Sequence, residues 1–393
     1  MRKMCQKSRR NIVGQYDLIA SATFGLESIV AREVKKLGYE DVTTENARVI
    51  FRGDEEAICR CNLWLRSADR VFIRMGEFSA TSFEELFERT KDLPWGDILP
   101  ENANFPVQGK SIKSGLFSVP DCQAIVKKAI VEKMKQKYKR DWFEEDGPRF
   151  TIEVGLLKDI ATITIDTSGV GLHKRGYRQT AGGAPLKETL AAAMINLSFW
   201  NPDRLLLDPM CGSGTIPIEA AMIGRNMAPG LRRQFDSEGW PIIPKDLWDK
   251  AREEAEDVID RTREFRILAS DIDGRLLKTA RDNAELAGVD DFIAFQTLPL
   301  KEISSKKKYG CIITNPPYGE RMGELREAEA LYKEMAEVCR DLDTWSFYVL
   351  TSYKEFERLF GKKADRKRKL YNGRIQVDYY QFYGPRPPRQ TIL

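Results

Sequence analysis

The chain has 393 residues, of which 42% are hydrophobic, 10% aromatic and 31% charged, with a formal net charge of +4. That length supports two or three domains and a sizeable core, and that composition excludes wholesale disorder and collagen-like repeats. No apolar run approaches the ~20 residues of a membrane-spanning helix, and the basic start MRKMCQKSRR leads into no apolar segment of the kind a secretory signal carries. Seven cysteines without framework spacing fit a reducing, cytoplasmic setting. Cys59 and Cys61 form only a C-x-C, and His173 is the single histidine. A two-histidine zinc site is therefore excluded, any nucleophile–histidine machine would have to use that one residue, and metal-free chemistry is expected.

In chain order, residues 16–52 read strand, helix, strand: Tyr16–Ala22, Leu26–Leu37 and Ala47–Phe51, with Thr23 as N-cap and Gly38 as C-cap. A helix at Glu55–Leu65 and a strand at Asp69–Phe78 complete a small α+β unit. The pattern continues with a helix at Phe83–Lys91, a strand at Asn104–Gly109 and a basic helix at Asp121–Tyr138. Strands at Arg149–Leu156 and Ile160–Asp166 form a hairpin turning at Lys158-Asp159. Residues 167–190 are rich in glycine and basic residues and read as a linker running into a helix at Leu186–Leu197. Beyond it, short apolar strands (Leu205–Leu207, Arg266–Ser270, Phe292–Thr297, Cys311–Thr314, Ser346–Thr351) alternate with helices (Ile216–Ile223, Arg275–Ala287, Glu327–Leu342). That alternation predicts a mostly parallel sheet with covered faces. KLYNGRIQVDYYQFYG closes the chain as an antiparallel hairpin turning at Asn372-Gly373.

The positive charge is unevenly spread. Lys127, Lys128, Lys133, Lys135, Lys137, Lys139 and Arg140 crowd one stretch, and Lys362, Lys363, Arg366, Lys367, Arg368 and Lys369 another. Each run alone reads equally as a solvated face; two runs point toward a polyanionic partner.

Two loops carry the chemistry. LLLDPMCGSGT (205–215) ends an apolar strand and opens a helix, so its glycines let backbone approach a ligand and Asp208 sits at the carboxyl end of the strand. Pro217 stands where a dinucleotide-binding fingerprint needs its third glycine, and the phosphate-loop lysine is missing, so nucleotide-phosphate binding is disfavoured. ASDID ends the next strand and places Asp271 where such folds hold ribose hydroxyls. It lies much further from Gly214 than the usual ~20 residues, because of an insertion at about 225–262. Asp273 is read as a helix N-cap. CIITNPPYGER (311–321) stops a strand at Asn315, since two prolines forbid its continuation. A strand-ending turn is the plain reading. On the same sheet edge as Asp208 and Asp271, however, Asn315 and the Pro316 carbonyl offer two acceptors and Tyr318 an aromatic face, a set suited to a nucleobase with an exocyclic amine. Transfer to such an amine needs no strong base, since the proton can leave afterwards.

At these residues a resemblance is plain. DPMCGSGT resembles motif I of class I S-adenosylmethionine-dependent methyltransferases, and TNPPYGER resembles the Asn-Pro-Pro-Tyr motif of those that methylate exocyclic amines. LHKRGYRQTAGGAPLKETLAAAM is similar to the segment preceding motif I in THUMP-domain methyltransferases, and the full NPPYGER form most resembles bacterial large-subunit ribosomal RNA guanine-N2 methyltransferases. The resemblance implies a basic tail (1–15), a ferredoxin-like subdomain (16–80), a THUMP-like RNA-binding domain (81–166), a linker (167–190) and a Rossmann-like methyltransferase domain (191–393). It implies that Asp208, Met210, Cys211, Gly212, Ser213, Gly214, Thr215, Asp271 and Ile272 hold S-adenosyl-L-methionine. It further implies that Asn315, Pro316, Pro317 and Tyr318 hold the target base. RNA, in particular 23S ribosomal RNA, is the implied partner, with Lys127, Lys128, Lys135, Lys139 and Arg140 as expected contacts. Arg175 and Arg178, with His173 in the glycine-rich linker, are expected to contact RNA or to close over the cofactor, an ordinary surface linker being the plain reading. FQTLPLKEI departs from relatives that carry an acid shortly after the third strand; it has Thr297 where a polar contact would lie and no Asp, so the adenine contact is unassigned.

Three rivals stand beside that reading. One is the same chemistry on adenine N6, in DNA or RNA; no helix-turn-helix or second recognition domain favours DNA. Another is a non-catalytic RNA-binding assembly factor, against which two intact loops argue. A nicotinamide oxidoreductase comes last. Pyrimidine C5 chemistry would need a thiolate, but Cys211 and Cys311 read as buried small hydrophobes.

Overall fold

The structure is a computed structural model that describes residues 14–178, 186–319 and 322–388. The tail expected at 1–15 lies almost wholly outside the described residues, as do 179–185 of the expected linker and Glu320 and Arg321 of the NPPYGER loop. No helix among the described residues is long and apolar enough to cross a membrane.

The first half runs β1 (Tyr16–Ala22), α1 (Glu27–Lys36), β2 (Val42–Glu45), β3 (Arg48–Gly53), α2 (Glu55–Trp64), β4 (Ala68–Ser79), α3 (Phe83–Lys91), α4 (Trp95–Ile98), β5 (Val107–Ile112), α5 (Val119–Tyr138), β6 (Thr151–Leu157) and β7 (Ile160–Asp166). The second runs α6 (Glu188–Asn196), β8 (Leu206–Asp208), α7 (Thr215–Gly224), α8 (Lys245–Asp257), β9 (Ile267–Asp271), α9 (Gly274–Ala287), β10 (Ile293–Thr297), β11 (Cys311–Thr314), α10 (Met322–Asp341), β12 (Ser346–Thr351), α11 (Phe356–Phe360), β13 (Arg366–Asn372) and β14 (Ile375–Phe382). Among the described residues these strands form two seven-stranded sheets.

The first sheet has the order β2-β3-β1-β4-β7-β6-β5. The long strand β4 pairs with β1 on one side and β7 on the other, so one continuous sheet spans residues that read in sequence as two units. Leu157 pairs with Ile160, and the turn residues Lys158 and Asp159 both take positive φ, as a tight hairpin requires.

The second sheet has the order β10-β9-β8-β11-β12-β14-β13, with β10 through β12 parallel and the last two pairings antiparallel. The chain builds outward from β8 through β9 to β10 and then returns to lay β11 on the other side of β8. The carboxyl ends of β8 and β11 therefore flank a topological switch point, where open α/β sheets bind ligands.

Several local expectations are corrected. Leu26, not Thr23, is the N-cap of α1; the Thr23 hydroxyl turns to Asp69 at 3.2 Å instead. β2 and the short α11 were not anticipated: β2 carries three exposed residues in four and so shows no apolar alternation. The closing turn is Gly373-Arg374, one residue later than Asn372-Gly373, because Asn372 itself pairs with Ile375.

The insertion carries α8 and packs back on the first half. Trp240 stacks on Phe150 at 4.3 Å and Arg60 bonds Glu254 at 3.0 Å, while within the insertion Phe235 stacks on Trp248 at 5.2 Å. Trp248 and Ala251 join the hydrophobic core of the first sheet. The extra residues between Gly214 and Asp271 are thus the clamp between the two halves. On the other side, Leu26 and Ile29 from the start of α1 join the core of the second sheet.

Candidate active site

Three strand ends build the crevice. β8 is buried throughout and ends in Asp208, which is 1% exposed. Burial pushes the Asp208 carboxyl up to about 7 and the charge of Asp271 pushes the same way, while the neighbouring Thr314 hydroxyl and the Met210 N–H act against them. The chain then turns through Met210–Gly214. Gly214 takes φ +84 as N-cap of α7, and a Cβ there would lie 3.1 Å from the Ala280 Cβ on α9. Glycine is required both for that backbone and for that close approach. Gly212, at φ +53, faces open space: a Cβ there would meet nothing within 4 Å. Pro217 sits in the first turn of α7, where its missing N–H leaves no helix bond unmade.

Asp271 locks this loop to the next strand. One carboxylate oxygen accepts from Gly212 N at 2.9 Å, the other from Asp273 N at 3.0 Å, and Cys211 N donates to the Ser270 carbonyl at 2.9 Å. Each carboxylate oxygen keeps a second lone pair, so the group can still accept from hydroxyls in the crevice. Asp273 is the N-cap of α9, accepting from Arg275 N at 2.9 Å. The buried Asn283 of α9 donates to the Ser213 carbonyl at 3.0 Å, a brace that no local sequence signal announced. Ile272 is 75% exposed at the same strand end, an apolar surface beside the acid. Thr297, aligned with Asp271 across the β9–β10 pair, is exposed and lies further out.

β11 supplies the third loop. Thr314 is fully buried, Asn315 is half-buried and Pro316 is buried. Tyr318 donates its hydroxyl to Asn315 Oδ1 at 2.6 Å. The loop is tied from behind: Tyr332 of α10, with no exposed surface, donates to the Pro317 carbonyl at 3.0 Å and lies 2.9 Å from the Thr351 hydroxyl at the end of β12. With the Tyr332 proton on Pro317, the Thr351 hydroxyl must donate to Tyr332, and it accepts in turn from Tyr353 N at 3.1 Å. This directed chain joins the loop to β12. Sequence reasoning missed Tyr332 and Thr351 because both lie far from the motif along the chain.

The cysteines are not placed as nucleophiles. Cys211 and Cys311 are buried, and burial holds both thiols protonated, Cys311 pushed up to about 12.

Several residues expected to contact RNA are engaged within the protein. Arg175 is 3% exposed; it bonds Glu219 at 3.2 Å and the Arg66 carbonyl at 2.5 Å, joining the two halves. Arg178 pairs with Glu188 at 3.2 Å and donates to the Thr215 hydroxyl at the foot of the glycine loop. Both arginines are corrected from RNA contacts to internal ties, because desolvated guanidinium groups need fixed partners. Lys127 is likewise taken up: its ammonium bonds Glu145 at 2.6 Å and the Phe105 carbonyl at 3.1 Å. Lys128 and Lys139 remain exposed, Arg140 is exposed but paired with Glu101 at 2.7 Å, and Lys135 is half-exposed with Glu132 at 3.2 Å.

Comparison with known proteins agrees with this architecture. Residues 175–381 match the RMKL-like methyltransferase domain, 17–72 the RlmL ferredoxin-like domain and 80–166 the THUMP domain. "Putative RNA methyltransferase YpsC" of Bacillus subtilis (strain 168) is 54% identical over 379 residues, covering 96% of this chain and 98% of that protein. A crystal structure described as a predicted N6-adenine-specific DNA methylase from Listeria monocytogenes matches with a TM-score of 0.92 at 53% identity, covering 96% of this chain and 99% of that one. "SMU.472, a putative methyltransferase complexed with SAH" matches with a TM-score of 0.91 at 46% identity over 96% of this chain and 100% of that one. The crevice fits that cofactor: a glycine open to the space, an acid with free lone pairs, an exposed isoleucine beside it and a buried carboxylate at the strand end. The chain belongs to the RMKL-like family of S-adenosylmethionine-dependent methyltransferases, joined to an RlmL ferredoxin-like domain and a THUMP domain.

Proposed function

We propose that the protein methylates the exocyclic N2 amine of a guanine in RNA of the large ribosomal subunit, 23S RNA. The observation that carries this reading is the placement of Asn315 and Tyr318 at the end of β11, across the switch point from Asp208 and the glycine loop. S-adenosylmethionine, when bound, supplies an electrophilic methyl group and leaves as S-adenosylhomocysteine. Gly212, Asp271 and Ile272 hold its nucleoside end, and Asp208 faces its cationic part. Asn315 and the Pro316 carbonyl accept from the guanine amine and aim its nitrogen, while Tyr318 stacks on the flipped ring. Pro316 and Pro317 keep the acceptors rigid, so catalysis is mostly positioning in a site from which water is displaced. The THUMP domain grips the RNA through phosphates, with Lys128 midway along α5 and Lys139 and Arg140 just past its end as exposed cations, Arg140 also pairing with Glu101 at 2.7 Å.

A second reading, N6 methylation of adenine in DNA, takes its support from the description of the Listeria relative. The THUMP domain and the description of the Bacillus relative favour RNA. The test is methyl transfer from labelled S-adenosylmethionine to deproteinised ribosomal RNA and to genomic DNA, both from cells lacking the protein. Label in the RNA alone is expected; label in the DNA alone would overturn the reading.

A further inference from the structure

The second basic run of the sequence plays no part in the site described above. β13 carries its last four members, Arg366, Lys367, Arg368 and Lys369, at the outer edge of the second sheet. Lysines on an edge strand commonly serve only to discourage strand addition. Here three observations point further.

The first is position. Thr314, the last residue of β11, pairs with Val349 of β12; Leu350 pairs with Tyr379 of β14, and Tyr379 with Arg368 of β13. Asn315 and Arg368 thus share one transverse band of the sheet, three strand spacings or about 14 Å apart. The β13–β14 hairpin continues beyond Thr351 and rises on the site-bearing edge.

The second is the seam with the first half. Gly25 packs against the open edge of β13: a Cβ there would lie 2.7 Å from the Lys369 carbonyl. Phe24, 49% exposed, meets Tyr371 edge to face at 6.0 Å, and the Lys369 ammonium lies 5.7 Å from the Tyr371 ring centre. Two aromatic rings and a cation from both halves of the protein therefore share one surface.

The third is charge. Arg32 of α1 and Arg366 of β13 both push against the Arg368 guanidinium, whose pKa is lowered first by burial and then by these two neighbours. Among the described residues, Arg32, Arg366, Arg368 and Lys369 have no carboxylate partner, whereas Lys367 is paired with Asp378 at 2.9 Å. Like charges gathered across a domain seam repel one another in the free protein, and a polyanion relieves that repulsion.

We propose that this seam is a second RNA contact, which takes the single-stranded segment flanking the target nucleotide. Bases stack on Phe24 and Tyr371 while Arg32, Arg366 and Lys369 take phosphates. The inference rests on the RNA reading above, but not on which base is methylated.

The test compares full-length variants in fluorescence anisotropy with a short unstructured single-stranded RNA, a duplex of the same sequence, and single-stranded DNA. The triple variant Arg32→Gln/Arg366→Gln/Lys369→Gln is expected to bind the single strand on the order of tenfold more weakly. Its plot of log affinity against log salt should be shallower by about 2, at roughly 0.7 for each phosphate no longer neutralised. Lys306→Gln/Lys307→Gln/Lys308→Gln removes the same charge just ahead of β11, at the opposite end of the sheet, and should change binding far less. Phe24→Ala should weaken single-strand binding about fivefold or more and leave duplex binding alone. S-adenosylhomocysteine binding, unchanged in every variant, reports an intact fold. Equal losses in both triple variants, or wild-type binding by the seam variant, would overturn the seam. Failure of the RNA reading shows separately, as wild-type protein that prefers the DNA strand.

Discussion

The Tyr318 hydroxyl donates to the Asn315 side-chain oxygen at 2.6 Å, so the acceptor proposed for a substrate amine already has one lone pair taken by the protein's own tyrosine. An incoming amine would take the second lone pair of that oxygen or displace the hydroxyl, with the tyrosine ring as its platform. Tyr318→Phe should therefore sustain methyl transfer within about threefold of wild type, since it keeps the face and frees the acceptor. Tyr318→Ala should lose stacking worth about 1–3 kcal/mol, read as a fall in kcat/KM for RNA. Asn315→Ala should cut kcat on the order of a hundredfold with S-adenosylhomocysteine binding nearly intact; equal loss of cofactor binding would contradict its assigned role.

Tyr332 is buried and supports this loop from behind. Tyr332→Phe keeps the ring and removes one hydroxyl, leaving the Pro317 carbonyl and the Thr351 hydroxyl short of a partner. A stability loss of about 1–3 kcal/mol is expected in urea unfolding. Steady-state kinetics should show kcat falling while cofactor affinity stays level. A fall in affinity with unchanged kcat would place Tyr332 in cofactor binding instead.

Asp208 makes the site sensitive to pH. Its carboxyl is pushed up to about 7 from an ordinary 3.8, chiefly by burial. The native state therefore keeps a proton that the unfolded chain has released, and this group's contribution to stability falls as pH rises between those values. A ligand ammonium beside it, such as that of the amino-acid end of S-adenosylhomocysteine, favours the ionised form. Calorimetric affinity for S-adenosylhomocysteine should thus rise up to about tenfold per pH unit on approach to 7 and level off above it. Asp208→Asn should flatten the curve; an unaltered slope in that variant would assign the titration to another group.

Arg175 and Glu219 form a buried pair, with side chains 2% and 0% exposed. Glu219→Ala leaves the guanidinium uncompensated and should cost about 3–5 kcal/mol in chemical denaturation. Arg175→Ala should likewise lower stability without changing the salt dependence of RNA binding. A selective change in that slope would restore Arg175 as an RNA contact.

Much of this architecture was legible from residue pattern. The strands around Asp208, Asp271 and Asn315 are short apolar runs ended by glycine, aspartate and proline, and each ending has a direct physical reading. What could not be read depends on distant partners. Arg175 looked like a free cation in a glycine-rich segment, because its acid, Glu219, lies in α7. Lys127 and Lys128 are neighbours in one helix, yet only Lys127 meets Glu145 and Phe105. The role of the insertion as a clamp depended on Trp240 finding Phe150 in the first half. Thr23 looked like a cap until Asp69 offered its hydroxyl a better partner.

The most direct test of the central claim is the identity of the methylated nucleoside. Ribosomal RNA from cells lacking the protein is treated with the purified enzyme and S-adenosylmethionine, digested, and resolved by nucleoside mass spectrometry. N2-methylguanosine, appearing with wild type and absent with Asn315→Ala, is the predicted result. N6-methyladenosine in its place would keep the site and contradict the substrate.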